Sequence, residues 1–163
     1  HRDIREVLEE AITNGNLEHV KRILNRAGRR INERQPASGS TALSTAAFHD
    51  RIDIANLLIR RGAKVETTNR DGNTPLLVAA FMCRRKMVQL LLEKGASPLT
   101  KNGRGETSID VVSSPWTKQL ADIYTGIDNV VPEFKFNLER IERERPQMAD
   151  LLRNHVEQAK TEK

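Results

Sequence analysis

The sequence predicts an all-α solenoid in which each unit is a turn followed by two antiparallel helices, with a helical cap at the C-terminal end. Three observations predict this fold: a period of about 33 residues, helix start and stop signals at fixed points of each period, and apolar residues at helical spacing. The composition agrees with it. Of the 163 residues, 37% are hydrophobic and 30% are charged, and thin elongated folds bury less apolar surface per residue than round domains do.

The period is defined by three Gly-Xaa-Thr segments that begin at Gly39, Gly72 and Gly105, so that the two intervals between them are equal. Further segments match at the same interval, namely Ala46-Ala47 with Ala79-Ala80, Leu57-Leu58-Ile59 with Leu90-Leu91-Leu92, and Gly62-Ala63 with Gly95-Ala96. Agreement at this many positions indicates a repeat architecture, in which each unit buries its apolar face against its neighbours.

Each unit carries signals that begin and end its helices. After the turn Asn69-Arg70-Asp71-Gly72, Thr74 is placed to cap the first helix and Pro75 to open it, where its missing N–H costs nothing. Ala79 and Ala80 are small enough to let neighbouring helices approach closely. These signals divide residues 1–125 into units at about 1–35, 36–68, 69–101 and 102–125.

The unit resembles the ankyrin repeat, which has about 33 residues and a Thr-Pro-Leu-His type signature. Thr74-Pro75-Leu76 matches this signature, while Thr41-Ala42-Leu43 and Thr107-Ser108-Ile109 match it more loosely, and the signature His is absent from all three. The resemblance implies an ankyrin-repeat solenoid, in which β-hairpin turns connect antiparallel helix pairs.

The sequence after Val112 departs from the repeat. Ser114 is predicted to cap the next helix and Pro115 to be its first residue. Residues 126–136 are predicted to be irregular, and Pro146 is predicted to divide the helical region 138–158 in two. The sequence therefore predicts that residues 126–163 form a C-terminal helical cap or a degenerate fifth repeat. Leu120, Ile123 and Tyr124 are predicted to be the packing face of a second helix, and the charged outer side of the cap is predicted to carry Glu139, Arg140, Glu142, Arg143, Glu144 and Arg145.

No motif for catalysis, cofactor binding or metal binding is present. The Gly-Xaa-Ser-Xaa-Gly elbow and the P-loop are absent, and neither His1, His19, His49 and His155 nor Cys83 has zinc-ligand spacing. Two alternatives stay open: His49, Asp50 and Asp53 as a base with its orienting group, and Cys83 as a thiol activated by Arg84. A polar inter-helix turn and an ordinary, partly exposed cysteine explain the same residues more simply. We therefore expect no enzyme activity, no cofactor and no metal.

The resemblance also implies that a macromolecular partner is recognised on the concave surface, by the hairpin tips and the ends of the first helices. Transferred by repeat position, the expected partner-binding residues are Phe48, His49, Arg70, Asp71, Asn73, Phe81, Met82, Arg104 and Glu106. Phe48 and Phe81 lie one period apart, so they are either exposed anchors for a partner or rings packed between repeats.

The expected partner is another protein. Net charge +5 and the clusters Arg60-Arg61 and Arg84-Arg85-Lys86 favour an acidic one, while aromatic residues at only 4% argue against nucleic acid. The alternative functions are a targeting or regulatory domain cut from a larger protein, and a weak binder of anionic partners. No apolar run reaches the roughly 18 residues of a membrane span.

The single cysteine fits a reducing, cytoplasmic compartment, with the reservation that an N-terminal targeting segment could be missing. We expect a monomer.

Overall fold

The computed structural model describes residues 2–36 and 38–162. These residues form nine α-helices, whose bounds are α1 Ile4–Thr13, α2 Leu17–Ala27, α3 Ala42–Phe48, α4 Ile52–Arg60, α5 Pro75–Phe81, α6 Arg85–Glu93, α7 Ser108–Ser113, α8 Lys118–Val130 and α9 Leu138–Thr161. Short 3₁₀ turns occupy Gly28–Arg30 and Pro132–Phe134. The predicted β-hairpins are not confirmed, because none of the described residues is in a β-strand.

The helices stack in two layers. The inner layer consists of α1, α3, α5 and α7, each packed against the next, and α2, α4 and α6 each pack behind the inner helix that precedes them. The short connections between paired helices make each pair antiparallel. Ala46, Ala47, Ala79 and Ala80 are fully buried between the layers, where the absence of a larger side chain permits the close approach that the sequence predicts.

The predicted helix starts are confirmed. Thr41, Thr74 and Thr107 each precede an inner helix in extended conformation, and each hydroxyl oxygen accepts a hydrogen bond from the backbone N–H three residues later. The donor–acceptor distances are 3.3, 3.2 and 3.1 Å. One capping interaction therefore recurs at the same point of each period and sets the register of the inner layer.

The chain leaves the repeat pattern after α7. The helix that packs behind α7 in the outer layer is α9 rather than α8, and the segment between α7 and α9, residues 114–137, is called the strap here. Ser114 does not cap α8, contrary to the prediction, because its carbonyl and hydroxyl oxygens accept hydrogen bonds from Arg145. Thr117 is the cap instead, and α8 runs on to Val130, so residues 126–130 are helical rather than irregular. The predicted boundary at residue 125 thus falls inside α8.

The predicted division at Pro146 is wrong, because α9 is one continuous helix of 24 residues. Proline removes one N–H donor from the helix and frees the carbonyl four residues earlier, at Glu142. Pro146 and Glu142 are both exposed, so water can solvate this part of the helix. Ile141 before the proline is buried against Cys83 and Tyr124, and Met148, Ala149 and Leu152 after it are buried against the stack, so packing holds the helix on both sides.

Two neighbouring turn tips, at Gly72 and Gly103, are in close backbone contact. Gly72 and Gly105 have nearly equal positive φ angles, +78° and +77°. A Cβ at Gly72 would lie 2.7 Å from the backbone N of Gly103, whereas nothing lies within 4 Å of one at Gly105. We expect Gly105→Ala to lower the free energy of unfolding by about 1–2 kcal/mol through backbone strain alone. Gly72→Ala should cost about 1–3 kcal/mol more, because it adds the clash.

Urea unfolding, followed by circular dichroism under identical conditions, measures the free energy of unfolding of both variants and of the wild type. Equal losses for Gly72→Ala and Gly105→Ala would show that the contact between neighbouring tips is not tight.

Candidate functional site: a groove between the turn tips and the strap

One groove on the inner side of the stack collects most of the residues that the sequence predicts for partner binding. Its volume is about 780 Å³, and it is bounded by the turn tips 69–73 and 102–106, by α5, α7 and the end of α3, and by α8 of the strap. Eight of the nine predicted residues line it, namely Phe48, Arg70, Asp71, Asn73, Phe81, Met82, Arg104 and Glu106. His49 does not line the groove.

The polar rim of the groove is held in place by two asparagines that lie one period apart. Asn69 Oδ1 accepts hydrogen bonds from the backbone N–H groups of Asp71 and Asn73, both at 3.0 Å. Asn102 Oδ1 accepts the same pair of bonds in the next tip, and Asn102 Nδ2 donates to Asn73 Oδ1 at 2.9 Å. The two tips therefore form one connected hydrogen-bonded unit.

Arg70 is part of this rim but is already engaged. Its guanidinium donates to the carbonyl oxygen of Pro36 at 2.5 Å, and its side chain lies against Gly39. Arg104 and Asp71 are exposed on neighbouring tips, and Glu106 is half-buried beside Asn102. The rim thus carries charges of both signs.

The apolar side of the groove includes a wall that the sequence analysis missed. Leu77 and Val78 of α5 form part of its floor, and Leu120, Ile123 and Ile127 of α8 face them from the strap. Ile123 is 51% exposed, which is unusual for a large aliphatic side chain that was predicted to pack as the face of a second helix. The helical spacing of these residues revealed an apolar face but could not reveal which surface it covers.

The rings of Phe48 and Phe81 pack on one side against aromatic rings of the strap. Phe81 stacks on Tyr124 with a centroid distance of 4.8 Å and an interplanar angle of 9°, and Phe48 lies 5.2 Å from Phe134. Both phenylalanines are half-buried, so each keeps one side on the groove. The idea that Met82 contributes to an exposed binding surface needs correction, because its side chain is only 2% exposed.

His49 and Arg84 form a second contact between the stack and the strap. The His49 ring lies 5.4 Å from Phe134, and the Arg84 guanidinium lies 4.6 Å from the centroid of the same ring. Arg84 also donates to the carbonyl oxygen of Phe48 at 3.2 Å. Burial lowers the pKa of His49, and the nearby charges of Arg51 and Arg84 lower it further, with Glu133 acting in the opposite direction. Arg84 is therefore not part of a free basic cluster, unlike the exposed Arg85 and Lys86.

Arg145 closes the strap against the stack. It is 2% exposed, so the prediction that it lies on the charged outer side of the cap is wrong. Its guanidinium donates to the carbonyl oxygens of Val111 and Ser114 at 3.0 and 3.1 Å, and to the Tyr124 hydroxyl at 3.4 Å. One side chain thereby joins α7, α8 and α9. Because Arg145 lies in a run of charged residues, the sequence pattern did not distinguish it from its exposed neighbours.

Two of the alternatives considered above, an activated thiol and a metal site, can be compared with the described residues. Burial raises the pKa of Cys83 to about 11, so its thiol is protonated at neutral pH and is not an activated nucleophile. No group of three His, Cys, Asp or Glu residues among residues 2–36 and 38–162 could hold a metal ion, and His1 lies outside these ranges. In the same ranges, every helix is too short or too polar to cross a bilayer.

Comparison with known families agrees with the repeat and its geometry. A family model of ankyrin repeats matches residues 8–102 in three copies, which is more than half of the chain. The chain belongs to the ankyrin-repeat family, whose repeats are generally protein-interaction modules. No curated protein gives a significant match. All of α7, the strap and α9 lie beyond the matched residues.

The buried Arg145 generates a stability prediction with a control on the same helix. Arg145→Met removes the hydrogen bonds that the buried guanidinium donates to the carbonyl oxygens of Val111 and Ser114. We expect a loss of about 3 kcal/mol in the free energy of unfolding. Arg143→Met, at an exposed position of α9, should change it by less than about 0.5 kcal/mol. If chemical denaturation shows equally small decreases in the free energy of unfolding for Arg145→Met and Arg143→Met, Arg145 does not have this stabilising role.

The lowered pKa of His49 generates a pH prediction. A group whose pKa is lower in the folded state binds protons more readily when unfolded, so the stability that it contributes is complete above the unfolded value of 6.5 and is lost as pH falls through the folded value. As pH falls below 6.5 towards the folded pKa of His49, we expect the free energy of unfolding of the wild-type protein to decrease more steeply than that of His49→Gln. The difference in slope should be up to about 1.4 kcal/mol per pH unit.

Chemical denaturation of the two proteins at about pH 7.5 and about pH 5.5 measures the free energy of unfolding of each. If His49→Gln keeps the wild-type pH dependence, His49 does not couple the strap to pH.

Proposed function

We propose that this protein is a non-catalytic interaction module that binds a segment of a protein partner in the groove between the turn tips and the strap. One observation carries the proposal: residues of two turn tips, three inner helices and α8 converge on a single cavity of about 780 Å³. A groove of this size with apolar walls and a polar rim has the anatomy of a recognition site.

The chemistry of the groove indicates what kind of segment it accepts. Val78 and Ile123 offer apolar surface from opposite sides, which suits an aliphatic or aromatic side chain of the partner as an anchor. Asp71 and Arg104 on the rim carry opposite charges, so they favour a partner whose polar groups alternate around that anchor rather than a uniformly acidic one.

The groove is organised before binding, and this supports an affinity that does not depend on a large contact area. Asn69 and Asn102 fix the backbone of both tips through their side-chain oxygens. The stacking of Tyr124 on Phe81 and its hydrogen bond to the Phe81 carbonyl oxygen fix α8 on the opposite side. A binding site with both walls ordered in advance loses little conformational entropy on association.

The groove also supports the proposal that the protein is not an enzyme. Among the described residues that line it, Ser114 is present but no His or Cys is, so no paired nucleophile and base face the cavity. The Ser114 hydroxyl is already bonded to the guanidinium of Arg145. Its surroundings therefore offer an anchored hydrogen-bond acceptor rather than an activated nucleophile.

Two exposed aliphatic residues on α8 provide a matched test. Ile123 lines the groove, whereas Val130, which is 81% exposed, does not. Peptides of about twelve residues would be selected from a random library on the immobilised wild-type protein, and their affinities measured by fluorescence anisotropy. We expect Ile123→Glu to weaken binding at least about tenfold, because it places a charge on the apolar wall, and Val130→Glu to change it less than about twofold.

Nuclear magnetic resonance on the isotope-labelled protein locates the same peptides. Shifts confined to the tips 69–73 and 102–106 and to α8 support the groove. Peptides that bind Ile123→Glu as tightly as the wild type, with shifts elsewhere on the surface, would refute the proposed site.

A further inference from the structure

A second surface lies away from the groove, where the outer helices end. Six exposed cationic residues gather there, and we call this surface the basic edge: Arg26, Arg29, Arg60, Arg61, Lys64 and Lys94. They come from three consecutive units, at or just after the C-terminal ends of α2, α4 and α6.

The repeat itself builds the basic edge. Arg26, Arg61 and Lys94 stand at equivalent places in three units, so they form a row with one cation per unit. Neighbouring units are in contact along this row, since Arg61 Nη1 donates to Asn25 Oδ1 at 3.0 Å. Packed helices lie about 10 Å apart, which sets the approximate spacing of the row.

No acidic residue among the described ones forms an ion pair with any of these six cations. The segments 19–32, 54–65 and 94–105 contain no Asp or Glu. Of the acids nearby, Glu33 pairs with Arg30 at 2.9 Å, and Glu66 accepts hydrogen bonds from the Ser97 backbone and the Thr100 hydroxyl, both at 2.7 Å. Glu93 is the remaining one, at the end of α6.

Helix dipoles do not account for the accumulation of charge. The end of a helix carries about −0.5 of an elementary charge, so three outer helices contribute about −1.5 at this edge. The inner helices run antiparallel to the outer ones and begin at the same edge, and their positive ends offset much of that charge. Six full positive charges exceed what the dipoles can balance.

We propose that the basic edge binds an acidic segment of a polypeptide in extended conformation. In the extended polyproline II conformation three residues make one turn and rise about 9 Å, so side chains three residues apart lie on the same face and match the row of Arg26, Arg61 and Lys94. The segments 19–32, 54–65 and 94–105 contain no Phe, Tyr or Trp on which a base could stack, and this favours a peptide over a single-stranded nucleic acid. The basic edge shares no residue with the groove, so an experiment can refute either proposal without refuting the other.

The test uses the whole chain and a fluorescent peptide of about twelve residues with the repeat Glu-Glu-Gly, together with its Gln-Gln-Gly counterpart. The edge variant carries Arg26→Gln, Arg61→Gln and Lys94→Gln. The control variant removes three exposed cations elsewhere, through Lys86→Gln, Lys118→Gln and Arg143→Gln. Both variants lose the same net charge, so any difference between them reports position. Circular dichroism melting verifies that both are folded.

At about 50 mM salt, we expect the edge variant to bind the acidic peptide at least about tenfold more weakly than the wild type, and the control variant less than about threefold more weakly. The Gln-Gln-Gly peptide should not bind. Equal losses in both variants would show attraction by net charge alone and would overturn the proposal. So would a DNA duplex or a phosphatidylserine vesicle that binds more tightly than the acidic peptide and depends on the same three residues.

Discussion

The inner helices end in backbone carbonyl groups that no residue of their own helix can satisfy, and the rest of the structure depends on how these groups find donors. The last carbonyls of a helix lack intrahelical partners, and leaving them buried without a donor is costly. In every unit a side chain from later in the chain supplies the donor. The pairs are Arg51 to the Thr13 carbonyl at 2.5 Å, Arg84 to Phe48 at 3.2 Å, Tyr124 to Phe81 at 2.5 Å, and Arg145 to Val111 at 3.0 Å.

The path of the strap follows from this constraint. Arg51 and Arg84 are one period apart, and the next position in that register is Thr117, whose short side chain instead caps α8. The donor for the end of α5 must therefore come from elsewhere, and the Tyr124 hydroxyl supplies it. For its ring to reach α5, α8 has to lie across the inner layer rather than behind α7. The outer place beside α7 is then taken by α9, and the apolar side of α8 becomes a wall of the groove.

The repeat and the polar rim of the groove could be predicted from the sequence, because both depend on residues within one period. Thr74 caps α5 and Asn73 lies on a turn tip for local reasons, and the same reasons recur in the next unit. The strap could not be predicted in this way. The spacing of Leu120, Ile123 and Tyr124 shows that α8 has an apolar face, but a helix can lay such a face on either layer. Arg145 lies in a run of charged residues and differs from its neighbours only through contacts with residues far away in the sequence.

The groove and the basic edge rest on different physics, and ionic strength separates them. In the groove, apolar side chains from α5 and α8 meet a rim of mixed charge, so the attraction comes mainly from buried apolar surface, which salt does not screen. At the basic edge, exposed cations act over distances close to the Debye length, about 8–10 Å at ordinary ionic strength, and their attraction weakens as salt rises. One solenoid can therefore hold an anchored segment under conditions that release an acidic one.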